Sequence, residues 1–464
     1  MRTDRPIPAK PMEMGIAEET QDQPSAKGRP LIVDLDDVLR RPGLAIDAAV
    51  MEIAANPRSA AGILAALFRG RKALHQRIAR SEYFEPAKLL YDTETTASLL
   101  RVLAEGRPVY LVSTVHERPI LESAARYLGI AAGWSASDDA TAIAEFQRSL
   151  GPQGFERFER KPDPQRHADG ETIPQADWRS WAKLLRVHQY AKNALVFVPL
   201  LTSHQFALLP AAKALVAAIA FSLCASSAYI LNDLVDVNAD RLHSSKRHRP
   251  IASGLISPAR ALIAMILLLA AAVGTAWSIS PGFLGALLGY LALTTLYSFW
   301  LKRIMLADVV TLAVLYTVRV IAGSLAINVV MSEWLLAFSL FIFMSLALVK
   351  RYVEMAAQPE EDSILPNRDY LASDRAMVAM LAAASGFNTV VVFTLYISSE
   401  AVRPLYAHPQ LLWIACPILI YWISRVMMLA HRRMIDDDPV TFALKDKVSW
   451  ISMAAIGAVM LVAM

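Results

Sequence analysis

The sequence predicts an all-α bundle of about nine transmembrane helices, preceded by a small α/β domain of Rossmann-like type. Three observations lead to this fold class. The 464 residues are 55% hydrophobic, with a mean hydropathy of +0.37. Charged residues make up 19% of the chain, whereas soluble domains carry about 25%. Long apolar runs are confined to the part after residue 192, so the first 180 residues have an ordinary soluble composition.

Composition also excludes several classes of protein. With 19 Gly and 2 Cys, the chain is neither collagen-like nor built on a disulfide framework. Cys224 and Cys416 both lie inside apolar runs, which is typical of small buried hydrophobic side chains rather than of metal ligands. Residues 1–30 lack the apolar core of a secretory signal and are predicted to be a disordered leader.

The α/β domain is predicted over residues 31–150. A short apolar strand at 31–33 leads into Asp34 and Asp36, and a second strand at 109–112 ends at Ser113. This arrangement resembles the opening motifs of the haloacid dehalogenase superfamily. The resemblance implies that Asp34 attacks phosphate, that Asp36 acts as acid and base near Mg²⁺, and that the Ser113 hydroxyl binds phosphate.

Other parts of that machinery are missing from the sequence. No GDxxxD-type acidic pair follows Gly129, and no lysine lies between Lys88 and Lys161. We therefore expect a degenerate domain with a structural or regulatory role rather than a working phosphatase. Residues 151–180, which contain four prolines, are predicted to be a linker. Trp178 and Trp181 alternate with basic residues at the end of this linker, which indicates either an interfacial helix or ordinary helix packing.

The transmembrane domain is predicted over residues 181–464. Its nine apolar runs are 194–209, 211–231, 261–279, 282–300, 305–330, 334–349, 376–397, 411–429 and 448–464. Most approach the ~20 residues that cross ~30 Å of hydrocarbon as a helix, and backbone groups inside lipid must bond within their own segment. The first and last runs are short, so eight to nine spans are expected. The alternative, a large soluble domain with buried helices, would need more amphipathic partner helices than the chain contains.

Charge in the loops predicts the orientation. Basic residues concentrate in the loops that follow the second, fourth, sixth and eighth apolar runs. These residues are Arg241, Lys246, Arg247, Arg249, Arg260, Lys302, Arg303, Lys350, Arg351, Arg368, Arg375, Arg432, Arg433, Lys445 and Lys447. The other loops offer only Lys213 and Arg403. Positive loops face the cytoplasm. We therefore expect these loops and the α/β domain to lie on the cytoplasmic side of the membrane.

An acidic cluster ends the second apolar run. Asp233, Asp236 and Asp240 follow Asn232 at helical spacing, so one helix face is expected to carry three carboxylates. Carboxylates at a membrane boundary are costly without compensating cations, and oxygen ligands together with substrate phosphates suit Mg²⁺. Lys246 and Arg249 follow closely and can hold phosphate oxygens. A solvated helix end beside a basic loop is the alternative reading.

This stretch is identified as the NDxxDxxxD signature of the UbiA superfamily of intramembrane prenyltransferases, followed by its KxxRP element at 246–250. The resemblance extends over about residues 180–464. It implies a helical bundle whose central cavity opens on the cytoplasmic side. It also implies that Asp233, Asp236 and Asp240 hold Mg²⁺ on a diphosphate, with Lys246 and Arg249 assisting its departure.

Further stretches resemble one branch of that superfamily, the decaprenyl-phosphate phosphoribosyltransferases: RVHQYAKN at 186–193, YSFWLKR at 297–303 followed by an aspartate, RVIAG at 319–323, LALVKRYVE at 346–354, and DDPVTFALKD at 437–446. The resemblance implies substrate contacts by Lys192, Asn193, Asn232, Tyr297, Lys302, Arg319, Lys350, Arg351 and Glu354. Lys350 and Arg351 stand where aromatic prenyltransferases carry a second acidic cluster, and topology-setting charge is the alternative explanation for them.

The expected activity is Mg²⁺-dependent transfer of a 5-phosphoribosyl group from phosphoribosyl diphosphate to a polyprenyl phosphate, for arabinofuranose donors of the cell envelope. The expected partners are these two substrates and the bilayer, but not nucleic acid; homo-oligomerisation is left open. One alternative is a 4-hydroxybenzoate polyprenyltransferase of quinone synthesis. Another is a non-catalytic membrane scaffold for the α/β domain, which the intact Asp233, Asp236 and Asp240 disfavour.

Overall fold

The computed structural model describes residues 29–39, 44–81, 89, 91–113, 116–135, 140–150, 154–158, 176–203, 207–242, 246–358, 368–400, 406–435 and 439–463. These residues form two compact units. The first takes the described residues before 44 and those from 66 to 173, and the second takes 44–65 and those from 174 onward. Residues 44–65 therefore belong with the membrane helices, although the sequence placed them in the α/β domain.

The described residues form four strands, β1 (Leu31–Asp34), β2 (Val109–Val112), β3 (Ala131–Ala132) and β4 (Glu156–Arg157). Their helices are α1 (Leu35–Val38), α2 (Leu44–Ala55), α3 (Ala60–Phe68), α4 (Arg71–Ala79), α5 (Thr93–Ala104), α6 (Arg118–Leu128), α7 (Ala140–Ser149), α8 (Trp178–Leu185), α9 (Val198–Thr202), α10 (Leu208–Val235), α11 (Val237–Leu242), α12 (Pro258–Ile279), α13 (Pro281–Phe299), α14 (Ala307–Ile327), α15 (Glu333–Ala356), α16 (Arg375–Ser398), α17 (Ala415–His431), α18 (Pro439–Lys445) and α19 (Lys447–Ala463).

The first unit is built on a small parallel sheet with strand order β3-β2-β1-β4. β1 pairs with β2 in the register Leu31 to Val109 and Asp34 to Val112. Helices connect the strands, as parallel pairing requires. The structure thus contains a four-stranded parallel sheet where an α/β domain is expected, and the haloacid dehalogenase resemblance stays a prediction.

The second unit is dominated by long apolar helices. Within the described residues, seven are long and apolar enough to cross a membrane: α10, α12, α13, α14, α15, α16 with its preceding 3₁₀ turn, and 409–431. An eighth span is present if α18 and α19, which meet at a bend of 78°, are counted as one. The protein is therefore a multi-pass membrane protein, and its described residues form seven or eight spans from the nine predicted apolar runs.

The first predicted run accounts for the difference. It forms a 3₁₀ helix over Val187–Phe197 and then the five-residue α9, which is too short to cross a bilayer. This segment lies against α14, where Gly323 approaches the backbone carbonyl of Val196 and the ring of Pro199 so closely that a side chain on Gly323 would clash with both. A glycine is required because the two backbones meet.

α10 and α14 lie at the centre of the second unit, and α12 and α13 at its edge. More than half of the most apolar stretch is buried in α10 and α14, compared with less than a fifth in α12 and α13. The outer helices turn Ile266, Leu267 and Leu288 outward, as helices in lipid contact do. The central pair places its polar residues inside the bundle, and these define the candidate site.

Candidate active site

The carboxylates lie at the C-terminal end of α10. That helix ends at Val235, Asp236 is its C-terminal capping residue, and α11 begins one residue later. The Asp236 amide donates to the carbonyl of Asn232 at 2.9 Å, and the Asp240 amide donates to the carbonyl of Asp236 at 2.8 Å. The acidic stretch therefore follows a nearly continuous helical path with a break at Asp236.

Two of the three carboxylates share a guanidinium group. Asp233 and Asp240 are each only 3% exposed. Arg249 Nη1 donates to Asp240 Oδ2 at 2.6 Å and to Asp233 Oδ1 at 3.1 Å. Buried carboxylates are strongly destabilising unless they are paired, so Arg249 compensates both. The predicted role of Arg249, to hold phosphate oxygens, stays a prediction.

A second cation, Arg186, also contacts Asp233. Its Nη2 donates to Asp233 Oδ1 at 2.7 Å, and its guanidinium carbon lies 4.7 Å from the centre of the Tyr229 ring. Arg186 caps α8 in the left-handed region, with φ at 52°. Sequence reasoning placed Arg186 in a motif but not in the site, because nothing local connects it to a carboxylate 47 positions later.

Asp236 lies apart from this ion cluster and lines a small cavity of about 60 Å³. It accepts a hydrogen bond from Asn232 Nδ2 at 3.2 Å. The other polar residues that line the cavity are Thr294, Thr295, Ser298, Lys302 and Arg303. The expected single face of three carboxylates is thus divided, since Asp233 and Asp240 contact Arg249 whereas Asp236 faces Lys302 and its neighbours.

Lys302 brings a positive charge to this cavity. Burial lowers the pKa of its amine; the charge of Asp236 opposes that shift, and Arg303, Arg368 and Lys246 add to it. An anion bound beside Lys302 would favour the protonated amine, because it offsets both the burial and the neighbouring cations. The predicted contact of Lys302 with a substrate phosphate is compatible with this position and stays a prediction.

A second ion cluster surrounds Asp308, at the start of α14. Asp308 is fully buried and accepts hydrogen bonds from Arg351 Nε at 2.6 Å, from Tyr370 Oη at 2.7 Å and from Arg368 Nη1 at 3.2 Å. Arg351 also forms an ion pair with Glu354, and Arg368 Nε lies 3.4 Å from the same carboxylate.

This cluster gives Arg351 and Glu354 partners within the protein. Arg351 is 0% exposed and is held by two carboxylates, and the substrate contacts expected of Arg351 and Glu354 stay a prediction. Arg368 takes the outer position: it is partly exposed and its Nη1 lies 3.5 Å from Tyr297 Oη. Sequence reasoning did not assign Asp308, Arg368 or Tyr370 to the site. The signal in the sequence was the position of Asp308 at the start of a long apolar run, where a carboxylate requires a partner.

Asn193 and Arg319 form a separate buried network inside the bundle. Arg319 donates from Nε to Asn193 Oδ1 at 3.0 Å and from Nη2 to Tyr290 Oη at 3.0 Å. Lys192 Nζ lies 5.6 Å from the centre of the Tyr316 ring. Because Arg319 follows Asp308 by eleven residues at ~1.5 Å rise each, this network lies ~16 Å deeper than the Asp308 cluster. The substrate contacts expected of Lys192, Asn193 and Arg319 stay a prediction.

The remaining predicted residues lie at the carboxylate end. Lys246 is in a 3₁₀ turn over Lys246–His248, and its charge acts on Lys302. Lys350 is half-buried near the C-terminal end of α15. Basic groups from several segments thus lie at the end of the bundle that carries the carboxylates of α10, which makes this end a favourable place for phosphate oxygens.

The donor set at this end fits Mg²⁺ chemically. In the part of the chain that the structure describes, no three Asp, Glu, His or Cys side chains converge in a preformed metal site. Mg²⁺ does not require one, since it usually keeps several waters and takes one or two carboxylates together with substrate phosphates. Asp236 with Asn232 supplies oxygen ligands at the cavity, and Asp233 and Asp240 lie one helical turn to either side.

A larger apolar cavity of about 550 Å³ lies toward the opposite end of the bundle. Pro199, Trp334, Phe338, Phe393, Tyr396 and Trp422 are among the residues that line it. α14 runs from the Asp308 cluster to Ile327, and cavity residues Val329–Met331 follow that far end. The cavity therefore opens near the far end of α14, and its lining reaches Ile342 on α15, nine residues or ~14 Å along the helix from Arg351. Its size suits a small apolar ligand or part of a lipid chain.

The first unit brings its predicted residues to one edge of its sheet. Asp34 ends β1, and its Oδ1 accepts from the Asp36 amide at 3.0 Å. Ser113 follows β2 and its Oγ accepts from the His116 amide at 2.9 Å. His116 Nε2 lies 2.9 Å from Asp36 Oδ1. Burial raises the pKa of Asp34 above its ordinary value, and the pairing of Asp36 with His116 was not predicted.

Comparison with known proteins identifies the class of protein that this bundle represents. The model of the UbiA prenyltransferase family matches residues 194–452, which is more than half of the chain. The protein therefore belongs to the UbiA prenyltransferase family, and it is a UbiA-family transferase of the membrane.

Three individual proteins are similar to this chain in sequence. The protein y4nM of Sinorhizobium fredii is 32% identical over 94% of this chain and 91% of its own length. The nodulation protein NoeC of Azorhizobium caulinodans is 32% identical over 61% of this chain and 93% of its own. The decaprenyl-phosphate phosphoribosyltransferase of Mycobacterium tuberculosis is 32% identical over 37% of this chain and 59% of its own. The aligned part thus spans less than two thirds of that enzyme.

Proposed function

We propose that the protein transfers a 5-phosphoribosyl group from phosphoribosyl diphosphate to a polyprenyl phosphate and releases diphosphate. The observation that carries this proposal is the pairing of a carboxylate group with an excess of cations at one end of the bundle. Asp236 and Asn232 share a cavity with Lys302 and Arg303. Such a site suits two phosphorylated substrates better than one diphosphate and a neutral phenol.

The donor diphosphate would bind at the end of α10. Asp233, Asp236 and Asp240, with Asn232, would hold Mg²⁺, which supplies charge stabilisation for the departing diphosphate when bound. Arg249 contacts Asp233 and Asp240 through Nη1, and its other N–H donors would bind phosphate oxygens. The basic 3₁₀ turn at Lys246 adds positive charge on the same side. Cations preorganised where negative charge develops lower the barrier to bond cleavage.

The acceptor would be a phosphate monoester. One of its oxygens attacks C1 of the ribose, the bond from C1 to the diphosphate oxygen breaks, and a phosphodiester and free diphosphate result. The attacking oxygen is already anionic, so the reaction needs no strong general base. Lys302 and Arg303 would hold the acceptor phosphate. The apolar cavity around Phe338 and Trp422 supports an acceptor with a long hydrocarbon chain.

The location of the reaction follows from charge. Lys246, Arg249, Lys302, Arg303 and Arg368 lie at the same end of the bundle as the carboxylates. Positive loops favour the cytoplasmic face, so we place the active site on the cytoplasmic side of a bacterial inner membrane. The product would then serve as a precursor of arabinofuranose donors for the cell envelope.

The reaction is tested with the purified full-length protein. We expect labelled lipid to form when the protein is incubated with Mg²⁺, radiolabelled phosphoribosyl diphosphate and a polyprenyl phosphate, with diphosphate released in equal amount. A chelator should stop both products. The parallel reaction contains a prenyl diphosphate and 4-hydroxybenzoate. Product in that reaction alone would assign the protein to aromatic prenyl transfer, and product in neither would support the scaffold alternative.

We also propose that the first unit takes no chemical part in this transfer. Asp34→Asn should leave the transfer rate within experimental error of the parent protein, because Asp34 lies in the sheet unit and pairs with the Asp36 amide. The measurement is the labelled-lipid assay, together with release of phosphate from a generic phosphomonoester. Loss of transfer in Asp34→Asn, or phosphate release that Asp34→Asn abolishes, would contradict a degenerate domain.

A further inference from the structure

Helix α3 has an outward face without a single polar side chain. All nine residues from Ala60 to Phe68 are apolar. Leu64 is 48% exposed, Leu67 is 49% exposed and Phe68 is 90% exposed. These three residues are spaced i, i+3, i+4 and therefore share one face. A helix that faces water carries polar side chains on its outer face, so this face is unusual for a solvated surface.

The preceding helix ties this region to the membrane helices. Val50 of α2 is buried in a cluster with Ile230 and Leu234 of α10, with Ile256 just before α12, and with Ala261 in its first turn. Those residues lie at the ends of the two spans nearest the carboxylates. α2 therefore rests at the boundary of the membrane-spanning part.

Chain length keeps α3 close to that boundary. α2 ends at Ala55 and α3 begins at Ala60. Five steps of ~3.8 Å between Cα atoms reach at most ~19 Å, and the turn over Pro57–Ser59 shortens the distance further. The interfacial layer of a bilayer adds several ångströms to the hydrocarbon core on each side, so α3 starts within or near it.

Charge around α3 matches an anionic surface. The 25 residues from Asn56 to Arg80 contain six Lys or Arg and no Asp or Glu. Arg58 precedes the apolar stretch, and Arg69 and Lys72 follow it; all three are exposed. An apolar face flanked by basic residues is the arrangement that binds in the plane of an anionic lipid surface.

We propose that α3 is a membrane-surface anchor. Leu64, Leu67 and Phe68 enter the boundary between headgroups and acyl chains, and the basic residues on both sides contact anionic headgroups. α3 would thereby hold the segment between α2 and α4 on the leaflet that the carboxylate end of the bundle faces. The occupant of the apolar face is lipid, rather than a second copy of the chain or a soluble partner.

The test uses the full chain in nanodiscs that contain phosphatidylglycerol. Cys224 and Cys416 are replaced by alanine, and an environment-sensitive fluorophore is attached at Phe68→Cys. The matched control carries the same label at Gln76→Cys, an exposed position on α4. We expect lipid-borne nitroxide to quench the label at 68 several-fold more than the label at 76, and aqueous iodide to quench them in the reverse order.

Three outcomes would overturn the proposal. Equal iodide quenching at the two positions would place Phe68 in water. Protection of position 68 from both quenchers would place protein on the face, as in a dimer or a complex. Nitroxide quenching at 68 that is as strong in phosphatidylcholine nanodiscs, and is unchanged by Arg69→Gln with Lys72→Gln, would remove the role of anionic headgroups. Weaker quenching under both of those conditions supports it.

Discussion

Asp233→Asn should reduce phosphoribosyl transfer by a factor of ~100 or more, the scale on which removal of one preorganised electrostatic group acts. Asp233 is almost fully buried and accepts hydrogen bonds from both Arg186 and Arg249. The amide keeps the shape of the side chain but removes the charge that orients both guanidinium groups and, in the proposed mechanism, binds Mg²⁺. The labelled-lipid assay measures the rate over a range of Mg²⁺ concentrations.

The substitution must be separated from a loss of folding, because it leaves two cations short of a partner. Glu333→Gln is the matched control: it removes an exposed carboxylate at the start of α15, at the far end of the bundle. Monodisperse protein with an unchanged melting temperature establishes that Asp233→Asn is folded. A near-normal rate in that folded variant would show that Asp233 has no part in binding the diphosphate.

Asp236→Asn separates the two parts of the acidic stretch. Asp236 lines the cavity with Lys302, whereas Asp233 and Asp240 contact Arg249. If Asp236 binds Mg²⁺ directly, a high Mg²⁺ concentration should restore part of the transfer rate of Asp236→Asn. The rate of Asp233→Asn should recover less, because the loss of that carboxylate also displaces Arg186 and Arg249. The comparison therefore separates the role of Asp236, at the cavity, from that of the carboxylates that contact Arg249.

The sequence predicted the membrane helices well because their signal is local. A long apolar run must form a helix in lipid whatever its neighbours are, and α10, α12 and α13 begin and end within four residues of the predicted runs. The short apolar run at 194–209 does not form a membrane span. Its apolar residues pack against Gly323 of α14 through a 3₁₀ segment, and hydropathy does not distinguish that arrangement from a span.

The candidate site was predictable only in part, because ion pairing depends on residues that are distant in the chain. Asp233, Asp240 and Arg249 are close in sequence, and the structure brings them together. Arg351 and Asp308 are 43 positions apart, and the sequence offered no reason to pair them. Arg351 therefore resembled a free phosphate-binding cation, although its charge is neutralised within the bundle.

The second large effect is expected at Asp308, where Asp308→Asn should destabilise the bundle by about 3–5 kcal/mol, as the loss of one partner from a buried ion pair does. Asp308 is fully buried and accepts from Arg351, Arg368 and Tyr370. Arg351 is itself fully buried, so its charge would have only Glu354 left to neutralise it. Thermal unfolding of the purified protein in detergent, followed by tryptophan fluorescence, measures the loss.

Asp369→Asn is the adjacent control, since Asp369 is exposed and surface substitutions usually change stability by less than about 0.5 kcal/mol. The double variant Asp308→Leu with Arg351→Met removes both charges of the pair. Because replacing a whole buried pair by apolar groups is often neutral, this variant should be more stable than Asp308→Asn alone, with Glu354 still held by Arg368.

Equal melting temperatures for Asp308→Asn and the parent protein would contradict a structural role for the cluster. Recovery of stability in the double variant without recovery of transfer would instead show that the cluster also positions Arg368 and Tyr297 for the reaction.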